Sequence, residues 1–541
     1  MSGKVISATG LTVESAVEED STQSGAHERH LAVGSIAQQT TLVVGMLTMF
    51  AVITALGRTL SLGEFGVYGL LVSIPTYLLF AQSSVESIAV RAIAQAPSRH
   101  DRDRAFTTAL ALYASFGLLA SLLIVFGGDA LLGVLKIAAS QRAQARLGLL
   151  ALGGVNLLGW PVKIAQDTLR GSGRFVLSAA TEALGYVTCG ALMGAALLLA
   201  APLWLIVGVG GAVSLLVGLW ALAALLIANI PVRPRPSAVS FTYARTFLSA
   251  SFVLLLGGVT DLVIYSLDRT VLGAFRPAST VGLYEGPIRA HNLLRQLQAA
   301  LALTVVASAS AYVAAGDRVR LRELLLRGTR YIAIMMMPFT ILLMTLSGPI
   351  LEVWLGPRFL PAAGAMTILV SYWLLLGGTS VGLGMLIAAG RLRATVVYSC
   401  SVAALNLALS LALTPSLGLD GVVLGTSVPY ALMLPGFAYL VCRTFDVPVF
   451  EYVREGYAVA YAGGALLAGG ELLARALLPM QRPAVLLAAI ALGLASYMAA
   501  VYWLGLRPRE RLLVRTTLSD ARAHLLLARR YLFSTLSRAA A

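Results

Sequence analysis

Apolar runs of roughly 18 or more residues recur along the whole chain, separated by short polar stretches in which arginine predominates. Runs of that length match the hydrocarbon thickness of a bilayer, where only helices or closed barrels keep every backbone polar group satisfied. In order, the runs fall at 33–57, 66–90, 105–128, 147–169, 175–199, 203–229, 246–274, 282–311, 331–350, 362–389, 395–414, 420–442, 456–478 and 484–505. The expected fold class is an all-α polytopic membrane protein with about fourteen transmembrane helices.

One run departs from the apolar pattern. From Val281 to Tyr312 the chain carries Glu285, Arg289, His291, Asn292, Arg295, Gln296 and Gln298. At helical spacing these cover about half of the circumference, with Ala290, Leu293, Leu294 and Leu297 on the other half. A charge at membrane depth costs about 3 kcal/mol on insertion scales and usually faces a bundle interior or a watery cavity. Two arrangements fit: a polar face lining a cavity, or a structural ion pair between Glu285 and Arg289 at i,i+4. One glutamate cannot neutralise two arginines, which favours the cavity. At about 1.5 Å per residue, Arg289 lies about 10 Å and Arg295 about 20 Å below the outer end of this span. Two guanidiniums straddling the midplane suit an anion crossing between leaflets, because arginine binds phosphate bidentately and stays charged.

An internal repeat organises the spans. Arg58-Thr59 precedes Gly66-Val67-Tyr68 as Arg269-Thr270 precedes Gly282-Leu283-Tyr284, and Gly173-Arg174-Phe175 matches Gly390-Arg391-Leu392. The offsets of 211 to 217 residues make spans 1–6 and 7–12 two parallel copies related by an axis along the membrane normal. The expected organisation is a disordered cytoplasmic tail over 1–32, six-helix bundles over 33–235 and 240–445 around a central cavity, spans 13 and 14 over 450–505, and a basic amphipathic cytoplasmic tail over 506–541. The leucines and arginines of that last tail suit a helix lying on anionic lipid.

Composition agrees with the pattern. The 541 residues are 58% hydrophobic and 12% charged, with net charge +15. Most of the positive charge sits in alternate short loops and in the C-terminal tail, so nucleic acid is not its explanation. The same distribution places both termini on the cytoplasmic side of the membrane. Cys189, Cys400 and Cys442 lie in or beside apolar runs and suggest neither a disulfide framework nor a metal site. No Walker A, HExxH, CxxC or GxSxG motif occurs, and no outer loop is long enough to fold as a catalytic domain, so the chain reads as a non-enzyme.

Further intramembrane polar residues are candidates for chemistry. Asp261, Tyr265 and Asp268 share one face of span 7 at i, i+4 and i+7. An acid there is either a site coupling transport to H+ or Na+ or the partner of an arginine. Lys163 and Asp167 in span 4 are either a structural ion pair or a wall of the cavity. Glu86 and Glu182 are additional acids, whereas span 1 has no charge at mid-depth. Pro75, Pro161, Pro287, Pro338, Pro429 and Pro435 are expected bend points.

The stretches GRTLSLGEFGVYGLLVSI, DRTVLGAFRPASTVGLYEGPIRAHNLL and MLIAAGRLRATVVYSCSVAALNLALSLALTPSLGLDGVVLGT resemble the polysaccharide-repeat-unit exporters, the Wzx-type flippases of the multidrug/oligosaccharidyl-lipid/polysaccharide transporter superfamily. The resemblance spans roughly residues 33–445. It implies two six-helix bundles in a V and a substrate of undecaprenyl-pyrophosphate-linked oligosaccharide, moved from the cytoplasmic to the periplasmic leaflet by alternating access. A polysaccharide polymerase is the expected protein partner. A lipid II flippase shares the fold, but its relatives carry arginines in the first span that this chain lacks. A cation-coupled multidrug antiporter also shares it, but expects an acidic cavity.

Overall fold

In a computed structural model the chain is described from residue 10 to 512, apart from 231, 233, 242, 243, 246–259, 261, 265, 507 and 509. Asp261 and the tail beyond 512 therefore lie outside the described residues. The described elements are helical throughout. Helices α1 (Gly10–Thr59), α2 (Leu62–Ala94), α3 (Arg99–Leu122), α4 (Gly128–Val134), α5 (Ala139–Gly171), α6 (Phe175–Leu198), α7 (Leu203–Gly211) and α8 (Val213–Ile227) come first. After α9 (Leu267–Phe275) come α10 (Ala278–Ala314), α11 (Arg318–Thr345), α12 (Ser347–Leu355), α13 (Ala363–Ser371), α14 (Trp373–Leu376) and α15 (Thr379–Ala388). The chain continues through α16 (Leu392–Leu417), α17 (Leu419–Thr444), α18 (Val449–Leu477) and α19 (Pro483–Ala500).

Among the described residues eleven helices are long and apolar enough to cross a membrane, and the pair α7–α8, bent by 52°, makes a twelfth. The predicted span 66–90 lies inside α2, which runs for 33 residues. The span expected at 246–274 falls largely outside the described residues. Helix α1 starts at Gly10, within the segment expected to be a disordered tail; no proline interrupts the chain from there to Thr59.

Local chemistry sets several helix ends. Ser61 opens α2 with a capping box, its Oγ accepting from the Glu64 amide (3.2 Å) while Glu64 accepts from the Ser61 amide (2.9 Å). Ser98 and Asp317 cap α3 and α11 in the simpler way. The prolines do not break their helices: Pro75, Pro161, Pro287, Pro338, Pro429 and Pro435 all sit inside continuous elements. Two of the interruptions fall at glycine pairs. Gly210-Gly211 precedes the α7–α8 bend, and Gly377-Gly378 splits the run expected as one helix over 362–389.

The described residues pack as two compact units, one from Met1–Glu285 with Cys400–Thr426, the other from Gly286–Ser399 with Ser427–Ala541. In the first, α5 is the central helix, touching α2, α3, α6, α7 and α8. In the second, α11 packs on α18 and on the broken segment α13–α15.

The sequence repeat has a physical counterpart. Gly173 and Gly390 both take left-handed backbone, at φ 72° and 71°, at the turns after α5 and α15. That conformation is open to glycine at little cost. Within the first unit, Gly66 of α2 and Gly282 of α10 make a reciprocal close approach. A Cβ on Gly66 would run into the carbonyl of Ala278, and one on Gly282 into the carbonyl of Leu62, four residues before each glycine's counterpart. Tyr68 and Tyr284, two residues beyond, are both buried.

Candidate functional site

Three polar clusters lie within the membrane-spanning helices. The first belongs to α5, where Lys163, Asp167 and Arg170 share one face at i, i+4 and i+7. Lys163 Nζ sits 2.9 Å from Asp167 Oδ1 and 3.1 Å from Glu86 Oε2 of α2. Arg170 pairs with the other oxygen of Glu86 and, at 3.0 Å, with Glu182 of α6. Tyr113 Oη of α3 donates to Asp167 Oδ2 at 2.6 Å, and the amides of Gln166 and Gln38 reach Glu182 at 3.3 and 3.4 Å. Asp167 is fully buried and Lys163 nearly so. Three carboxylates and two cations thus neutralise most of one another where water is scarce, as buried charge requires. A cavity of about 330 Å³ opens beside the network, lined by Lys163, Gln166, Glu182, Gln82, Asn156 and Trp160 among others. Lys163 is therefore both an ion-pair partner and a wall of this unit's own cavity.

The second cluster centres on Asp268, at the start of α9 and 3% exposed. Its Oδ2 accepts from Tyr284 Oη (2.6 Å) and Thr426 Oγ1 (3.0 Å), and Asn406 donates to the same threonine oxygen at 3.1 Å. The neighbouring Arg269 turns to Glu285, with Nε 2.5 Å from Oε1 and Nη2 3.3 Å from Oε2. Glu285 is fully buried in that pair. The carboxylate expected either in the cavity or on Arg289 is thus engaged sixteen residues back along the chain, because the α9–α10 hairpin brings Arg269 against it.

The third cluster is the rest of the polar face of α10. His291 is buried, its Nε2 hydrogen-bonded to Tyr372 Oη, its ring 5.6 Å from those of Tyr372 and Trp373. Tyr430 stacks on Tyr372 from the far side at 4.7 Å. Gln298 donates at 2.7 Å to the carbonyl of Leu376, the last residue before the glycine break, which also accepts from Thr379. These contacts correct the expectation that the whole polar face of α10 lines a cavity. His291 and Gln298 hold the broken span 10, where a freed carbonyl has no water to bond. What remains is a strip of half-buried Arg289, Asn292 and Arg295 beside exposed Gln296. That strip has the guanidinium and amide donors to bind a phosphate-bearing group.

Some members of these clusters go beyond the sequence expectations. Arg170 counts as a loop charge by topology, but its spacing from Lys163 and Asp167 on one helix face is a readable signal. Tyr113, Thr426 and Tyr284 carry none beyond being polar groups in apolar runs. Among the described residues no group of three or more His, Cys, Asp or Glu side chains is placed to hold a metal ion.

Comparison with known proteins supplies the family. A family model described as polysaccharide biosynthesis protein matches residues 55–364. No curated protein matched the chain. Among solved structures, the lipid II flippase MurJ in an inward closed conformation superposes with a TM-score of 0.68 at 14% identity, covering 87% of this chain and 98% of that one. An inward-facing multidrug resistance MATE family transporter of the MOP superfamily gives 0.64 at 13% identity, covering 74% and 95%. The MATE multidrug transporter DinF-BH gives 0.54 at 16%, covering 76% and 97%. At such identities the likeness establishes the fold, that of a polytopic all-α membrane protein. With the family match running over more than half of its length, the chain belongs to the polysaccharide biosynthesis protein family.

Proposed function

We propose that the protein flips an undecaprenyl-pyrophosphate-linked oligosaccharide from the cytoplasmic to the outer leaflet of a bacterial inner membrane, by alternating access and with both termini cytoplasmic. The observation that carries this reading is the strip Arg289–Asn292–Arg295 with Gln296, on a long apolar helix of a member of the polysaccharide biosynthesis protein family. Two guanidiniums at that depth offer an anionic headgroup bidentate hydrogen bonds and a charge that persists at any relevant pH. Outward movement of that anion is favoured by an inside-negative potential, by about 2.3 kcal/mol per charge per 100 mV. Lys163, on its own cavity, is the candidate for a further contact to the headgroup. Asp268 is the described candidate for coupling to H+ or Na+, since its carboxylate is buried among hydroxyl donors; Asp261 is the other, on sequence grounds.

Deletion of the gene should leave lipid-linked oligosaccharide in the inner leaflet. Arg289→Ala and Arg295→Ala should each reproduce that accumulation while inserting normally, and export at the wild-type rate by both variants removes the reading. Accumulation of lipid II in place of the oligosaccharide would assign the protein to the lipid II flippase reading that its fold also admits. Export of a cationic drug, with both lipids unaffected, would assign it to the multidrug antiporters.

A further inference from the structure

A second cavity, of about 480 Å³, lies wholly within the second unit, between the C-terminal part of α10 and the N-terminal half of α11. Its walls carry two stripes at helical spacing, Leu301, Val305, Ser308 and Tyr312 on α10 and Arg320, Arg327, Tyr331 and Met335 on α11, with Glu323 lining it between the two arginines. The helices are antiparallel, so both stripes are graded in the same sense. Arg320, Arg327 and Tyr312 stand at the end near the hairpin, whereas Leu301, Val305 and Met335 stand deeper. From Arg320 to Met335 the groove runs about 22 Å at about 1.5 Å per residue. Arg320 lies 5.8 Å over the Tyr312 ring. It is also 3.2 Å from Asp317, and Arg327 is 3.4 Å from Glu323. Both pairs are more than half exposed on the arginine side. Such pairs are worth about 0–1 kcal/mol, so either guanidinium is easily recruited by another anion.

We propose that this groove holds an anionic membrane phospholipid, its phosphodiester between Arg320 and Arg327 and an acyl chain along Leu301, Val305 and Met335. The grading from cationic mouth to apolar depth matches a lipid lying along the bilayer normal, at the end that the arginine distribution assigns to the cytoplasm. Exposed guanidiniums give modest affinity, which favours a lipid that bathes the protein over a scarce transport substrate. The site is separate from the Arg289–Arg295 strip and does not depend on what the protein carries.

The test is native mass spectrometry of the full-length protein titrated with phosphatidylglycerol, with phosphatidylcholine as the uncharged-headgroup comparison. Arg320→Gln/Arg327→Gln should weaken the first-bound phosphatidylglycerol about tenfold or more. Met335→Trp, which fills the apolar end and leaves both charges, should weaken it as well. Arg391→Gln/Arg393→Gln removes the same charge from another exposed turn and should leave that first binding step unchanged. Equal weakening by the Arg391/Arg393 variant would reduce the effect to general electrostatics and overturn the site. So would unchanged binding in both groove variants. Displacement of phosphatidylglycerol by stoichiometric polyprenyl pyrophosphate would give the groove to that lipid instead, and refute the phospholipid.

Discussion

Gly66→Ala tests the reciprocal glycine crossing of α2 and α10. The added Cβ would stand 2.6 Å from the carbonyl carbon of Ala278 and 2.9 Å from the amide nitrogen of Gly282. Carbon atoms are comfortable at about 3.5–4.0 Å and the Ala278 carbonyl oxygen stands nearer still, so the two backbones must part by more than about 1 Å. Neither obstacle is a side chain that can swing aside, and overpacking of this kind costs about 1–3 kcal/mol. Gly282→Ala is the counterpart, meeting the carbonyl carbon of Leu62 at 3.1 Å and the Gly66 nitrogen at 3.2 Å. The assay is thermal unfolding of the detergent-purified protein. Each single variant should lower the midpoint, and the double variant should lower it by less than the sum, because separation forced at one glycine makes room at the other. Gly154→Ala in α5 is the control, since a Cβ there meets nothing within 4 Å; it should be neutral or slightly stabilising through helix propensity. If Gly66→Ala and Gly282→Ala both unfold like that control, the close crossing is wrong.

Lys163→Met leaves Asp167 without its cation and Glu86 with Arg170 alone, and should cost about 3–5 kcal/mol, read as lost monodisperse protein on size exclusion. Adding Asp167→Leu should restore part of the yield, and no restoration would argue against the pairing. Tyr284→Phe removes the 2.6 Å donor to Asp268 and should destabilise by about 1–3 kcal/mol in the same thermal assay, with Thr426→Val acting in the same direction. Gln298→Leu should cost about 1 kcal/mol, because the Leu376 carbonyl keeps only Thr379. A larger loss would mean that Gln298 carries more than that one carbonyl.

Much of the helical frame was legible in the sequence, because a bilayer imposes one length and one composition on each span. The run 175–199 is Phe175–Leu198, and 420–442 lies within Leu419–Thr444. The glycines of the two Gly-Arg turns were readable as repeat markers, and their shared left-handed backbone gives the reason they are glycines. Pair identities were legible only where both partners share a helix, as Lys163 and Asp167 do. Helical spacing offers Glu285 the partner Arg289, and the structure adds Arg269, a contact that only the hairpin geometry makes available. Arg170 looks like an inner-loop charge because topology counting stops at the end of the apolar run, whereas a long side chain in the last turn of α5 reaches Glu86 and Glu182. The break in span 10 was hidden because a Gly-Gly pair within an apolar run is ordinary in membrane helices. The helices run on through their prolines for a related reason: neighbouring groups in a membrane bundle can satisfy the backbone that a proline frees.

The network around α5 also bears on how the protein is made. Lys163, Asp167 and Arg170 emerge from the ribosome on one helix, and each charge costs about 3 kcal/mol to hand to lipid alone. Lys163 and Asp167 can neutralise each other within that helix, and Glu86 has been synthesised by then. Arg170 needs Glu182 as well, and Glu182 arrives only with the following helix. Spans 4 and 5 should therefore partition into the bilayer together. A nascent chain halted between them should hold α5 at the insertion machinery until Glu182 is made.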